Sequence, residues 1–257
     1  MHSVLYSVFI TGASSGLGAA LALQYARQGA HLGLLARRGD TLQQLIASLP
    51  HPERHRAYAV DVCDHAALNS AAQDFIAHAG HIDVVIASAG VSYGTLSEHA
   101  EDLDAFARLM AINVTATVAT FAPFIAAMKS QGSGRLVGIG SVAGIRGLPG
   151  AEAYSASKAA VISYCESLRL ELKPAGVKVV TITPGYIDTP MTRHNAYRMP
   201  FLMPADKFAV RAARAIADGD SYRVIPWQMG VVAKLLRALP NAIYDRVFAN
   251  APHKARN

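Results

Sequence analysis

Residues 11–18 read Thr-Gly-Ala-Ser-Ser-Gly-Leu-Gly and stand between an apolar run, Val4–Ile10, and a stretch of helical periodicity, Gly16–Gln28. Glycines in such a loop permit a tight turn and close approach of a pyrophosphate, which the N–H groups and dipole of the following helix favour. A strand, a glycine loop and a helix in this order predict a nucleotide-binding unit. Taken alone, the loop is also compatible with a plain glycine turn.

Apolar runs rich in β-branched residues alternate with helical patterns along the rest of the chain. The predicted strands are Val4–Ile10, His31–Ala36, Arg56–Val60, Val84–Ala87, Arg135–Ile139, Val177–Thr183 and Tyr222–Ile225. The predicted helices lie near Gly16–Gln28, Thr41–Ser48, Ala66–His78, Leu103–Ser130 and Ala153–Lys173. Strands that are apolar throughout are buried on both faces, which predicts a Rossmann-type α/β fold, a doubly wound parallel sheet in a three-layer α/β/α sandwich. Functional residues are then expected just after the strands.

The composition excludes several classes of protein. With 257 residues, 52% of them hydrophobic and 16% charged, the chain can bury a large core, so disorder and a small disulfide-stapled scaffold are excluded. No change of composition divides it, and we treat residues 1–257 as a single domain. The two cysteines, Cys63 and Cys165, have no metal-ligand spacing, so no metal is expected and a cytoplasmic, reducing location is favoured.

The charge-free segment Leu109–Met128 contains polar residues and a proline, and is therefore expected to be a buried helix of a soluble protein rather than a membrane span. The net charge of +6 is concentrated near the end of the chain: residues 190–257 hold eleven Lys or Arg and four Asp or Glu. A basic end favours an anionic partner or simply solubility. No recognition motif for nucleic acid is present, so no nucleic acid is expected.

A basic amphipathic helix is predicted over Trp227–Leu239, within a C-terminal extension, 226–257. Its apolar positions Val231, Val232, Leu235, Leu236 and Leu239 recur at helical spacing beside Lys234 and Arg237. This pattern is compatible with a stripe buried against the same subunit or a neighbour, which we favour, and with peripheral contact with an anionic membrane.

The glycine loop resembles the T-G-x-x-x-G-x-G loop of the short-chain dehydrogenase/reductase family, and further matches follow in the family's order. They are Ser88-Ala89-Gly90 (Asn-Ala-Gly in most members), Asn113, Ser141, the Tyr154 and Lys158 pair, Pro184-Gly185 and Thr189. The resemblance implies an oxidoreductase that forms a homodimer or homotetramer, with Asn113, Ser141, Tyr154 and Lys158 as its catalytic residues. Ser88 is expected to alter the bracing of the sheet without loss of catalysis.

The four catalytic residues have distinct expected roles. Tyr154 transfers a proton to or from the substrate oxygen, and the ammonium of Lys158 lowers the pKa of that phenol. Ser141 orients the oxygen. By family analogy, Lys158 also holds the nicotinamide ribose, and Asn113 anchors a water that links Lys158 to solvent.

The end of the second predicted strand indicates which dinucleotide is bound. An enzyme for NAD places Asp or Glu there to bind the ribose 2′-OH, whereas this strand is followed by Arg37 and Arg38. Guanidinium groups suit a 2′-phosphate, so NADP is predicted in preference to NAD; the alternative is that both arginines only solvate a loop. The expected cofactor-binding residues are Gly12, Ser14, Ser15, Gly16, Leu17, Gly18, Arg37, Arg38, Asp61, Val62, Ala89, Gly90, Asn113, Tyr154, Lys158, Pro184, Gly185, Ile187 and Thr189.

These expectations combine into an NADP(H)-dependent oxidoreductase that transfers a hydride between nicotinamide and a ketone, an aldehyde or a secondary alcohol. A substrate lid is predicted at about residues 186–219, and its apolar side chains, Met191, Tyr197, Met199, Pro200, Phe201, Leu202 and Met203, favour a lipophilic small molecule. Arg193, His194 and Arg198 leave room for an anionic end. The alternative is a non-catalytic NADP-binding sensor or scaffold protein of the same fold.

Overall fold

A computed structural model, which describes residues 6–195, 197–249 and 251, has a central sheet of seven parallel strands. In chain order the strands are β1 (Ser7–Thr11), β2 (His31–Ala36), β3 (His55–Ala59), β4 (Val84–Ala87), β5 (Arg135–Ile139), β6 (Lys178–Pro184), β7 (Ile187–Asp188), β8 (Met203–Pro204) and β9 (Tyr222–Ile225). The central sheet has the order β3-β2-β1-β4-β5-β6-β9, and β7 pairs separately with β8. The order reverses between β1 and β4, and the crevice at their carboxyl ends is where such sheets bind ligands.

Helices cover both faces of this sheet. They are α1 (Gly16–Arg27), α2 (Gly39–Ser48), α3 (His65–Ala79), α4 (Asp102–Met110), α5 (Ala116–Gln131), α6 (Glu152–Leu172), α7 (Ala205–Asp218), α8 (Trp227–Ala238) and α9 (Asn241–Phe248). The apolar sides of α1, α2 and α7 form one core with the sheet, and those of α3, α5 and α6 form a second core on the other face. The predicted doubly wound, three-layer α/β/α architecture is confirmed.

The first strand shows why an uninterrupted apolar run predicts a central strand. In β1, Val8 and Ile10 face the first core and Phe9 faces the second, and all three are fully buried. The ring of Phe9 lies 5.6 Å from that of Phe75 and 5.0 Å from that of Phe124, measured between ring centroids. Side chains that alternate between two apolar cores must all be apolar.

Most strand boundaries lie within one residue of their predicted positions. The first strand differs, because the structure begins it at Ser7 rather than Val4, and residues 1–5 lie outside the described part of the chain. At that point the backbone N–H of Ser7 donates to the carboxylate of Asp83 at 2.8 Å.

The single helix predicted over Leu103–Ser130 is interrupted. A π-helical turn, Ala111–Thr115, separates α4 from α5, and the hydroxyl of Thr117 donates to the carbonyl of Asn113 at 2.8 Å. By length and composition alone, Asp102–Gln131 is apolar enough to cross a membrane. In the structure the side chains of Phe121 and Phe124 are buried in the second core, so this helix is a layer of the fold.

The predicted lid, about 186–219, is two different structures. Its second part is α7, whose residues Phe208, Ala212 and Ile216 are buried in the first core, where α7 packs against α1. Their i, i+4 spacing is a helix signal. Residues 205–218 are therefore part of the body of the fold, and the predicted lid is limited to residues 186–204.

The C-terminal extension contains two helices. The predicted helix forms as α8, but three of its apolar positions, Val231, Val232 and Leu235, are exposed instead of buried against this subunit. The buried face of α8 consists of Met229, Gly230 and Ala233. The expectation of burial against the same subunit is therefore wrong for those three residues, because small residues at 230 and 233 let the opposite face pack. The second helix, α9, was not predicted.

Candidate active site

A cleft of about 310 Å³ opens at the carboxyl ends of the central strands. It brings together every predicted cofactor-binding residue except Asn113, together with Ser141. Ser88 and Met191 were named from the sequence in other roles, and the following lining residues were not singled out: Ala36, Val60, Val91, Ile112, Ile139, Gly140, Pro190 and Thr192. Ala36, Val60, Ile139 and Gly140 end or directly follow a strand, which is the signal that would have found them.

The glycine loop forms a cradle that any side chain at Gly12 or Gly18 would obstruct. A Cβ atom on Gly12 would lie 2.7 Å from the Cα of Ala89, and one on Gly18 would lie 2.3 Å from the carbonyl oxygen of Gly12. Gly12 also has a φ of +68°, in the region that favours glycine. The loop leads directly into the N-terminus of α1, so the geometry suits a pyrophosphate.

The two arginines after β2 make different contacts. The guanidinium of Arg38 donates to the hydroxyl of Ser14 in the glycine loop at 3.1 Å. The guanidinium of Arg37 lies 4.0 Å from the carboxylate of Asp61, and both of those side chains are exposed. Arg38 makes no ion pair with any carboxylate of the described residues. Its positive charge is therefore available to bind an anion at this end of the cleft.

Three of the predicted catalytic residues meet at the other end of the cleft. Ser141 follows β5, and its Oγ accepts from the backbone N–H of Ala143 at 3.2 Å and hydrogen-bonds with the phenol of Tyr154. Tyr154 and Lys158 lie one turn apart on α6, and the Nζ of Lys158 lies 5.9 Å from the centroid of the Tyr154 ring. That Nζ donates to the carbonyl of Ile139 at 2.8 Å.

Burial shapes the titration of this pair. It raises the pKa of Tyr154, against a smaller lowering by the hydrogen bond from Ser141. Burial also lowers the pKa of Lys158 to about 8. The net shift of the Tyr154 pKa is therefore upward instead of the lowering expected from Lys158, because burial of the phenol outweighs the stabilisation of its charged form.

Asn113 lies in the π-helical turn, is buried and acts as a brace. Its Oδ1 accepts from the N–H of Val91 at 2.9 Å, and its Nδ2 donates to the carbonyl of Val91 at 3.1 Å and to the hydroxyl of Ser157 at 3.0 Å. These bonds join the loop after β4 to α6. A Cβ built on Gly90 would lie 3.3 Å from Oδ1 of Asn113 and 3.6 Å from Nζ of Lys158, so Asn113 borders the site from behind. Its predicted link to Lys158 through a water stays a prediction.

Ser88 stands where the resemblance leads one to expect asparagine. Its hydroxyl is buried and has no hydrogen-bond partner among the described residues. The hydroxyl is too short to brace the neighbouring backbone as an amide would. The expectation of altered bracing therefore has a structural basis.

Two tyrosines of the lid contact each other. The rings of Tyr186 and Tyr197 meet edge to face at 6.2 Å, and burial raises the pKa of Tyr197 to about 12. At the base of the lid, the hydroxyl of Thr192 donates to the carbonyl of Ile187 at 2.6 Å and accepts from the N–H of Thr189 at 3.1 Å.

Comparisons with known proteins give a consistent result. The family model described as short chain dehydrogenase matches residues 6–199. An uncharacterized oxidoreductase of Myxococcus xanthus is 36% identical over 248 residues, which cover 93% of this chain and 94% of that protein. A 2-dehydro-3-deoxy-L-rhamnonate dehydrogenase (NAD(+)) of a Sphingomonas strain is 36% identical over 182 residues, 71% of this chain and 72% of that protein. The solved structure of a short-chain dehydrogenase from Sphingobium yanoikuyae in complex with NADPH has a TM-score of 0.78 and 26% identity, and the match covers 96% of this chain and 97% of that one.

Proposed function

Because this chain belongs to the short-chain dehydrogenase/reductase family and is thus an oxidoreductase, we propose that it uses NADP(H) to interconvert a ketone or aldehyde with the corresponding alcohol. The observation that carries the proposal is the hydrogen bond between Ser141 and Tyr154 beside Lys158, at one end of a cleft whose other end holds the glycine loop and Arg38. A proton donor and a dinucleotide cradle are thereby placed in one cavity.

The residues of the cleft fit a dinucleotide. The glycine loop and the N-terminus of α1 would hold the pyrophosphate, Asp61 and Val62 would border the adenine, and Lys158 would bind the nicotinamide ribose. Ile187 and Thr189 would border the nicotinamide. When bound, the cofactor supplies or accepts the hydride.

The protein's own residues supply the proton. In reduction, the phenol of Tyr154 donates its proton to the substrate oxygen, and its raised pKa keeps it protonated at neutral pH. Ser141 donates a hydrogen bond to the same oxygen and orients it. The ammonium of Lys158, below a pH of about 8, stabilises the phenolate that is left. Oxidation of an alcohol reverses each of these steps.

The preference for NADP rests on Arg38. Its guanidinium lies against Ser14 without a carboxylate partner among the described residues, which suits the 2′-phosphate, while Arg37 is partly neutralised by Asp61. Neither the last residue of β2 nor the two residues directly after it is an Asp or Glu that could bind a 2′-OH. The similar proteins include both an NAD(+) enzyme and an NADPH complex, so they do not favour either dinucleotide. The proposed preference for NADP therefore depends on the contacts of Arg38.

A lipophilic substrate is proposed because apolar side chains, among them Ile187, Pro190 and Met191, line the cleft. We further propose a cytoplasmic location and a homodimer or homotetramer formed through α5 and α6. The exposed side of α5 supports the latter, since it carries Val118, Ala122 and Ala126. Light scattering after size exclusion measures the assembly.

The proposed function is tested by fluorescence titration with NADPH and NADH, followed by a panel of ketones and aldehydes of increasing chain length. We expect NADPH to bind more tightly than NADH and its oxidation to depend on an added carbonyl compound. Tight NADPH binding without turnover on any member of the panel would instead support the sensor or scaffold alternative. Failure to bind either dinucleotide would overturn both.

The pH dependence of reduction should follow Lys158. The lysine is charged below its pKa of about 8 and neutral above it, while Tyr154, whose pKa is raised, stays protonated over the same range. We expect kcat/KM for the carbonyl substrate to be level up to about pH 7 and to fall about tenfold per pH unit well above pH 8. Initial rates from pH 6 to 10 at saturating NADPH measure this, and a level profile to pH 9.5 would contradict it.

Ser88→Asn is expected to retain activity and to raise thermal stability, because the longer amide supplies the hydrogen bonds that the isolated hydroxyl does not make. The expected gain is about 0.5–1.5 kcal/mol per hydrogen bond restored. Thermal unfolding and kcat on the same preparation measure both effects. A large fall in kcat with unchanged folding would show that Ser88 serves the reaction itself.

A further inference from the structure

Large apolar side chains are exposed along one side of α8. Trp227, Val231 and Leu235 follow each other at intervals of one helical turn, and 65%, 48% and 63% of their surfaces are exposed. The opposite side of α8, with Met229 and Ala233, is buried. Three exposed apolar residues in line on a helix mark a contact surface rather than scattered surface residues.

The last described helix repeats this pattern. On α9, Ile243 and Val247 lie one turn apart and are 51% and 63% exposed, while Tyr244 on the other side is buried. We call Trp227, Val231, Leu235, Ile243 and Val247 the C-terminal apolar set. Nothing else in the described residues covers it.

Arg146 anchors both helices from their inner sides. Its guanidinium donates to the carbonyls of Leu236 and Leu239 at 2.9 Å each, and lies 3.9 Å from the centroid of the Tyr244 ring. The hydroxyl of Tyr244 in turn donates to the carbonyl of Gly147. The helix pair is therefore attached to the loop after β5 by its buried sides, so the C-terminal apolar set is left facing outward.

The charge near the C-terminal apolar set indicates which kind of partner binds there. The two helices carry three basic side chains, Lys234, Arg237 and Arg246, and one acidic side chain, Asp245, and all four are exposed. A two-fold contact with a second copy would place this basic region against itself. An anionic lipid surface instead offers an apolar interior for the exposed side chains and negative charge for the basic ones. Tryptophan is favoured at the boundary between the lipid interior and water.

We propose that α8 and α9 dock this protein peripherally on an anionic lipid surface through the C-terminal apolar set. The inner side of α8 contacts the glycine after β6, since a Cβ on Gly185 would lie 2.6 Å from Cγ of Met229, and Gly185 lines the cleft. In the docked protein, α8 would therefore lie between the lipid surface and the part of the cleft at Gly185. The proposal does not depend on the catalytic activity.

The test uses the full-length protein and vesicles of phosphatidylcholine with or without 30 mol% phosphatidylserine. Trp227 is the single tryptophan of the chain, so its emission reports on α8 directly. We expect sedimentation with the anionic vesicles, a blue shift of the emission, weak binding to pure phosphatidylcholine and release at 0.5 M salt. Absence of sedimentation and of the shift with anionic vesicles at low salt would overturn the proposal.

Matched variants separate the surface from general effects. Leu235→Asp and Lys234→Glu should each lower vesicle binding about tenfold or more, whereas Leu103→Asp, at a residue 70% exposed on α4, should leave it unchanged. Circular dichroism and NADPH binding show that each variant is folded. Equal losses of vesicle binding in all three variants would contradict lipid docking. A wild-type dimer that does not bind vesicles and that Leu235→Asp dissociates would also contradict it, and would show that a second copy covers the C-terminal apolar set.

Discussion

Tyr154→Phe is expected to lower kcat for NADPH-dependent carbonyl reduction by about 10²–10⁴-fold, because the substrate oxygen loses its proton donor. The ring and its packing are kept, so NADPH should bind with nearly unchanged affinity. Ser141 remains, but its hydroxyl would have to donate a proton without the neighbouring ammonium of Lys158 to stabilise the resulting charge. Steady-state kinetics measure the loss of kcat, and NADPH titration on the same preparation shows whether cofactor affinity is kept.

Tyr164→Phe is the matched control for that variant. Tyr164 lies on the same helix, α6, but its ring stacks on Phe121 at 6.3 Å and it does not line the cleft. Its kcat should be that of the wild type. If Tyr154→Phe kept more than a tenth of the wild-type kcat, the proton would have another source and the assignment of Tyr154 would fail.

Arg38→Leu is expected to raise KM for NADPH about 10- to 100-fold and to leave KM for NADH within about threefold. The range follows from the 1.5–3 kcal/mol that a hydrogen bond to a charged group contributes, at about 1.4 kcal/mol for each factor of ten. Arg37→Leu should have a smaller effect, because the carboxylate of Asp61 lies 4.0 Å from that guanidinium. KM for both dinucleotides is measured for each variant.

Arg27→Leu controls for the loss of a positive charge, since Arg27 lies in the last turn of α1, at the end away from the glycine loop. It should change neither KM. An equal loss for NADPH and NADH in Arg38→Leu would mean that Arg38 supports the loop through Ser14 instead of binding a 2′-phosphate. The alternative that the arginines only solvate a loop would instead leave KM for both dinucleotides unchanged in Arg38→Leu.

The sequence predicted what depends on local pattern. β1 lies between two apolar cores, so its continuous apolar run identified a central parallel strand. The glycines of the loop were identifiable because Gly12 and Gly18 leave no room for a side chain. Ser141 and Tyr154 were identified through the resemblance to the family, and the structure places them together in one cleft.

What the sequence did not predict depends on surroundings that are distant along the chain. Lys158 was expected to control the pKa of Tyr154, but burial outweighs it, and burial is a property of the packed site. The π-helical turn at Asn113 depends on bonds to Val91 and Ser157, which come from two other elements. The outward side of α8 follows from packing of Met229 against Gly185.

Arg146 also constrains the order in which the molecule is completed during synthesis. Its partners, Leu236, Leu239 and Tyr244, lie 90 or more residues further along the chain. Domains form progressively as the chain leaves the ribosome, and contacts between distant residues close late. The loop that follows Ser141 can therefore reach its final anchorage only after the last two helices have been synthesised, so a chain terminated before Leu236 would lack the carbonyls that hold Arg146.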